Sequence, residues 1–114
     1  MADCLFCRIA KGEIPAQRLY EDERAVAFQD LHPQAPLHAL VVPRKHLASL
    51  GAASAEDEAL VGHLLRVAAQ VAHEAGFEET GYRTVVNTGR DGGQTVFHLH
   101  VHVLAGRPLG WPPG

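Results

Sequence analysis

Several things this chain lacks already narrow its class. No apolar run approaches the ~20 residues of a membrane-spanning helix, so a soluble domain is expected. There is no basic excess: Lys and Arg number 10 against 13 Asp and Glu, for a formal net charge of −3 with histidines neutral. Such a balance argues against nucleic-acid or anionic-membrane binding. No internal repeat and no low-complexity block occurs, so a solenoid or a long linker is not expected. Cysteine is scarce, limited to Cys4 and Cys7. The opening stretch MADCLFCRIAKGEIP has an acid near its start and no long apolar core, unlike a secretory signal. A cytoplasmic, reducing setting is therefore expected. The two cysteines then read as reduced thiols, half of a metal site, or a disulfide across a very short loop.

What is present suits one domain spanning residues 1–114. The chain is 46% hydrophobic and 20% charged, enough for a modest core. Eight histidines in 114 residues are the compositional outlier.

Along the chain, Asp3 to Ala10 reads as a short helix or turn, and Ile14-Pro15 then breaks regularity. QRLYED and RAVAFQD read as a strand hairpin around a charged turn at Glu21 to Arg24. HPQAP is a loop. LHALVVP reads as a buried strand stopped at Pro43. Ser54 and Asp57 resemble a capping box. Beyond them Leu60, Val61, Leu64, Leu65, Ala68, Val71, Ala72 and Ala75 recur at helical spacing, predicting one long helix over Ala55 to Ala75, stopped at Gly76. Small residues on it (Gly62, Ala68, Ala69, Ala72) permit close approach of another helix, or serve a plain core. YRTVVN reads as a strand and TGRDGGQ as a loop needing glycine's freedom at Gly92-Gly93. FHLHVHVL reads as the last long strand, and GRPLGWPPG as an irregular tail. Strands on either side of one helix, with short connections, make the class α+β with a mainly antiparallel sheet.

FHLHVHVL carries the chemistry. On a strand, His98, His100 and His102 share one face, and Phe97, Leu99, Val101 and Val103 share the other, packed on the long helix. Three readings are open. The histidines could be a solvated polar face. They could bind metal, since imidazole is a preferred zinc ligand. At ~3.3 Å per residue, however, the first and third lie about 13 Å apart, so one ion cannot take all three from a regular strand. Or they could be catalytic, since a neutral imidazole is a good nucleophile toward phosphorus. The glycine-rich NTGRDGGQT directly upstream supports the last reading, because such turns offer backbone N–H groups to anions. His63 and His73 on the helix and His32 in a loop read as surface residues.

The alternation HLHVHVL resembles the signature of the histidine-triad (HIT) superfamily. GEIPA, AFQDLHPQAPLH, GYRTVVNTGRDGGQTVFHLHVHVLAGR and WPPG resemble its histidine-triad nucleotide-binding (Hint) branch. That resemblance implies an α+β HIT fold: a sheet of about five strands on one long helix, in a homodimer whose two sheets join. It implies hydrolysis of purine nucleoside phosphoramidates through a covalent nucleotidyl-histidine. The alternatives are dinucleoside polyphosphate hydrolysis or nucleotidyl transfer, and a non-catalytic nucleotide- or zinc-binding module. By the same resemblance His100 matches the nucleophile, His102 the histidine that orients the α-phosphate, and His38 a relay partner. Thr95 stands where serine is commoner. Asp30 matches the ribose-binding carboxylate with Leu31 beside it. Phe6, Ile9, Phe28 and Leu40 match the walls around the base, and Asn87, Gly93, Gln94 and Thr95 the phosphate-binding set. Trp111 matches a tail residue that reaches the partner subunit's site. Phe97 stands in place of a frequent tyrosine. Cys4, Cys7, His46 and His98 match a zinc site of bacterial members, with the tetrahedral two-sulfur, two-nitrogen set of structural zinc. No magnesium-binding carboxylate cluster is evident, so the chemistry itself is expected to need no metal.

Overall fold

A computed structural model describes residues 4–114; the expectation of a helix beginning at Asp3 falls partly outside them. The elements run α1 (Leu5–Ala10), β1 (Arg18–Glu21), β2 (Ala25–Gln29), β3 (Leu37–Pro43), α2 (Glu58–Glu74), β4 (Tyr82–Val85), α3 (Gly89–Gly92) and β5 (Val101–Ala105). The five strands form one sheet in the order β1-β2-β3-β5-β4, and every pairing is antiparallel. No helix among the described residues is long and apolar enough to cross a membrane.

α2 forms because its sequence has an apolar stripe and a defined start. Ahead of it, the Ser54 amide donates to the Asp57 carboxylate at 2.9 Å, closing the capping box that the sequence predicts. Lys45 holds the same carboxylate at 2.7 Å. Leu64, Val67, Ala68, Val71 and Ala72 are buried against Val41, Val101 and Val103 of the sheet and Leu99 just before β5. Each large aliphatic side chain so buried contributes ~1.5–3 kcal/mol. Ala68 and Ala72 are fully buried, so the small residues there let helix and sheet approach closely. Leu65 lies outside the stripe and is 47% exposed, and Ala75 is exposed as the helix cap.

The other sheet face receives α1. Phe6, Ile9 and Ala10 pack on Val26, Phe28, Leu40 and Val42 in a second apolar cluster. The sheet is therefore covered on both faces, which explains why every residue of β3 is buried.

Two local expectations change. The last strand starts at Val101 rather than Phe97, because the Leu99 amide donates to the Leu47 carbonyl (2.7 Å) in a loop. Phe97 is consequently 64% exposed instead of packing under α2, while Leu99, Val101 and Val103 do pack there. The TGRDGGQ loop contains one helical turn, α3, which Gly93 ends in the left-handed conformation (φ +84) that favours glycine; Gly92 needs no such freedom.

Candidate active site and metal-ligand cluster

The α1 face of the sheet carries both the histidines and a cavity of about 340 Å³. Of the residues expected to bind nucleotide, Phe6, Ile9, Phe28, Asp30, Leu31, Leu40, Asn87, Gly93, Thr95, His100 and His102 line it. Gln94 and Trp111 do not. The Gln94 side chain is buried and turned inward: its oxygen accepts from the Gly89 amide (3.0 Å), and its nitrogen donates to the carbonyls of Ala48 (2.7 Å) and Val96 (3.1 Å). It shapes the loop rather than facing an anion. Trp111 is 83% exposed on the tail.

Sequence reasoning left other wall residues without a role: Leu5, Ile14, Pro15, Ala16, Gln29, His32 and Val96. For Ile14-Pro15-Ala16 the signal was available, since apolar residues in a loop after a short helix need a surface to cover. Gln29 gave none; its buried Oε1 has no hydrogen-bond partner among the described residues.

The hydrogen bonds fix how each imidazole holds its proton. The His100 Nδ1 lies 2.7 Å from the His98 carbonyl, which can only accept. The proton of neutral His100 is therefore on Nδ1, and Nε2 keeps its lone pair. At His38 the Gln34 amide donates to Nδ1 at 2.9 Å, so His38 carries its proton on Nε2. That Nε2–H points at the His102 Nδ1 (2.9 Å) and is 3.4 Å from the Asp30 carboxylate. His102 is thus an acceptor at Nδ1, and its own proton sits on Nε2. The rings of His100 and His102 are 5.0 Å apart. Register explains the His38–His102 contact: Leu40 opposes His102 and His38 opposes Leu104, so the two histidines are diagonal neighbours on one face.

Burial pushes His102 down to about 4, aided by the neighbouring His100 and His38 and opposed by Asp30. Burial also lowers His38, again against the pull of Asp30. Both rings are neutral at pH 7. Asp30, His38 and His102 come within metal-binding distance of one another, but the proton on His38 Nε2 makes this a hydrogen-bonded relay.

His98 belongs to a second constellation. Its Nε2 donates to the Pro43 carbonyl at 2.8 Å, which leaves the Nδ1 lone pair facing Cys4 Sγ (3.3 Å), Cys7 Sγ (3.5 Å) and His46 Nδ1 (3.2 Å). The Cys7 Sγ to His46 Nδ1 distance is 3.4 Å. Cys4, Cys7, His46 and His98 lie close enough to hold a metal. Two sulfurs and two imidazole nitrogens on a tetrahedral ion, at usual bond lengths, sit roughly 3.3–3.8 Å apart, so the donor set fits. Burial raises the Cys7 thiol, with Cys4 adding to the effect, and burial lowers His98. A cation among these atoms reverses the penalty on the thiolate.

A larger groove of about 630 Å³ lies between α2 and the β1–β2 hairpin. Its chemistry is spent on the fold. Of its lining, the Arg24 amide, the Tyr20 hydroxyl and His63 Nε2 donate to Asp22 (2.8, 2.6 and 2.6 Å), which also accepts from the Ala25 amide (2.8 Å) and so clamps hairpin to helix.

Residues 11–109 match the model of the HIT domain. The chain belongs to the HIT family. A HIT-like protein of Synechococcus elongatus is 54% identical over 112 residues, 98% of this chain and 97% of the relative. A HIT-like protein of Synechocystis is 52% identical over the same shares. Among solved structures, a HIT family hydrolase from Legionella pneumophila superposes with a TM-score of 0.96 at 46% identity, covering 98% of this chain and all of that one. A histidine triad protein from Clostridium difficile gives 0.94 at 50% identity, with 96% of each chain covered. The five-stranded antiparallel sheet with its helix is the fold of these HIT structures, and the hydrolase description of such a neighbour points to an enzyme.

Proposed function

We propose that this HIT protein is a nucleoside phosphoramidase of the Hint type, cleaving the P–N bond of a purine nucleoside 5′-phosphoramidate. One observation carries the reading. The His100 Nδ1–H is tied to the His98 carbonyl at 2.7 Å, so Nε2 presents a lone pair on the wall of a cavity sized for a nucleotide. Phe6, Ile9, Phe28 and Leu40 give the apolar slot for a base, Asp30 the carboxylate for ribose hydroxyls, and Thr95 a hydroxyl donor for phosphate.

In the first displacement His100 Nε2 attacks phosphorus, the N–P bond to His100 forms and the P–N bond to the amine breaks. The amine leaves with the bonding pair and takes up a proton, for which the Thr95 hydroxyl and His102 Nε2–H are the donors at the cavity wall. Water then attacks the phosphorus, the histidine–phosphorus bond breaks, and nucleoside monophosphate is released. Splitting the reaction makes each displacement easier. Asp30 and His38 hold His102 in the tautomer that keeps a proton toward the phosphate. Cys4, Cys7, His46 and His98 would hold a structural zinc outside this reaction path, and the ion would tie α1 to the loop before β5. The proposed assembly is a homodimer.

The Candida albicans histidine triad nucleotide-binding protein supports a nucleotide ligand, at 31% identity and a TM-score of 0.83 over 96% of this chain and 83% of that one. The deciding experiment compares turnover of an adenosine 5′-phosphoramidate with that of a diadenosine polyphosphate, and looks by mass spectrometry after rapid quench for a nucleotidyl adduct. The phosphoramidate is expected to be faster, with the adduct on His100. Faster cleavage of the dinucleotide sinks the assignment. Binding of adenosine monophosphate without turnover of either substrate means a binding module.

A further inference from the structure

The metal-ligand cluster and the nucleotide cavity share parts. Cys4 caps α1 through its sulfur, which accepts from the Cys7 amide at 3.4 Å, and Cys7 lies within the helix. Between the two cysteines stands Phe6, whose ring meets Phe28 at 5.5 Å, His98 at 6.0 Å and His100 at 5.1 Å, each edge to face. Phe6 is at once neighbour to two ligands and a wall of the cavity. The second link is the His98 backbone. Its imidazole faces the cysteines while its carbonyl holds His100 Nδ1. Residues 96–100 form no strand ladder, so that carbonyl is not fixed by the sheet. What holds it is the ring's bond to Pro43, the Leu99–Leu47 bond and whatever occupies the cluster.

We infer that metal at Cys4, Cys7, His46 and His98 and nucleotide in the cavity bind cooperatively, with Phe6 and the His98 carbonyl as the positioning groups that carry the coupling. The inference rests on the nucleotide and metal readings above. The bound ion orders α1 and residue 98, and so sets the base wall and the His100 ring before nucleotide arrives. By linkage the nucleotide must tighten the metal by the same factor. A site that only supports the fold leaves the affinity of each folded molecule unchanged.

Calorimetry measures the test. Adenosine monophosphate is titrated into zinc-loaded protein and into chelator-stripped protein shown by circular dichroism to be folded. Zinc affinity is measured by chelator competition with and without the nucleotide. The expected result is at least ~5-fold in both directions, the low end of ordinary coupling between sites. Phe6→Ala keeps all four ligands and is expected to load zinc but to lose much of the factor. If the stripped chain does not fold, Phe6→Ala carries the test. At equal nucleotide saturation, zinc release should be slowed less in this variant than in the wild type, and equal slowing overturns the inference. Nucleotide binding with no change in zinc affinity overturns it while the nucleotide reading stands. No nucleotide binding by loaded protein removes both.

Discussion

His98, His100 and His102 alternate in sequence, yet each has a different set of bonds. His98 donates its Nε2–H to the Pro43 carbonyl and turns a lone pair to the cysteines, His100 is clamped through Nδ1, and His102 Nδ1 accepts a hydrogen bond from His38. Substitutions should separate accordingly. His98→Ala is expected to lose zinc and thermal stability. His100→Ala is expected to melt near wild type and lose turnover by several orders of magnitude. Zinc analysis, melting curves and phosphoramidate turnover, run on both proteins, check this; matching profiles remove the division of labour. The relay also sets a pH response. His102 binds a proton near 4 in the folded chain and near its ordinary 6.5 when unfolded, so between these values the unfolded chain holds more protons. Stability therefore rises with pH across that window and is lost as pH falls from 6.5 toward 4. Urea titrations between pH 7 and 4.5 should show the fall, and His102→Gln should flatten part of it. The histidine alternation made these residues visible in the sequence. Their tautomers were not, because those of His98 and His100 depend on backbone carbonyls 55 and 2 positions away, and that of His102 on the His38 side chain 64 positions away.

At the scale of elements, α2 was readable because its apolar residues recur with the helical period and Ser54 and Asp57 mark its start. The strand expected over FHLHVHVL formed only in its second half, as β5. Its first half obeys the period-two pattern but is held in a loop by Leu47 and the ligand cluster, and no local preference reports a contact made across the fold. Gln94 was misplaced for a related reason: an amide in a glycine-rich turn suits an anion or the turn's own backbone equally well, and here it braces Gly89, Ala48 and Val96. Two glycines test the element boundaries from opposite sides. Gly106, just past β5, has φ +100, and an added Cβ would lie 2.6 Å from the Pro36 Cβ. Gly106→Ala should destabilise by ~1–3 kcal/mol through backbone strain, with the ring clash added. Gly62, on the exposed side of α2, has nothing within 4 Å of a Cβ position. Gly62→Ala should stabilise by ~0.5–1 kcal/mol, since glycine costs about that inside a helix. Denaturant midpoints at unchanged slope measure both, and a shift in the same direction for the two would contradict the local account.

For the whole molecule, the question is which sheet edge is left open. The β1 edge is irregular, with a register shift between Arg18 and Tyr20, and carries the Arg18–Glu21 ion pair. Such features discourage edge pairing. The β4 edge has a regular register against β5 and carries Tyr82 at 39% exposed. α2 packs chiefly on β1, β2, β3 and β5, so the β4 end of that face has the least helix cover. A second copy pairing β4 with β4 would continue the sheet to ten strands and cover this end. Sedimentation velocity should then give twice the single-chain mass, and Tyr82→Lys with Thr84→Lys should shift it to monomer by placing like charges across the joined edges. Phe6, Phe28, Asp30, His100 and His102 of a single chain already line the proposed nucleotide cavity. The monomeric variant should therefore still bind adenosine monophosphate within a few-fold of wild type. A change confined to the leaving-group preference would implicate the partner's tail, where Trp111 stands exposed. A wild-type protein that remains monomeric at high concentration would remove the dimer while leaving the cavity chemistry in place.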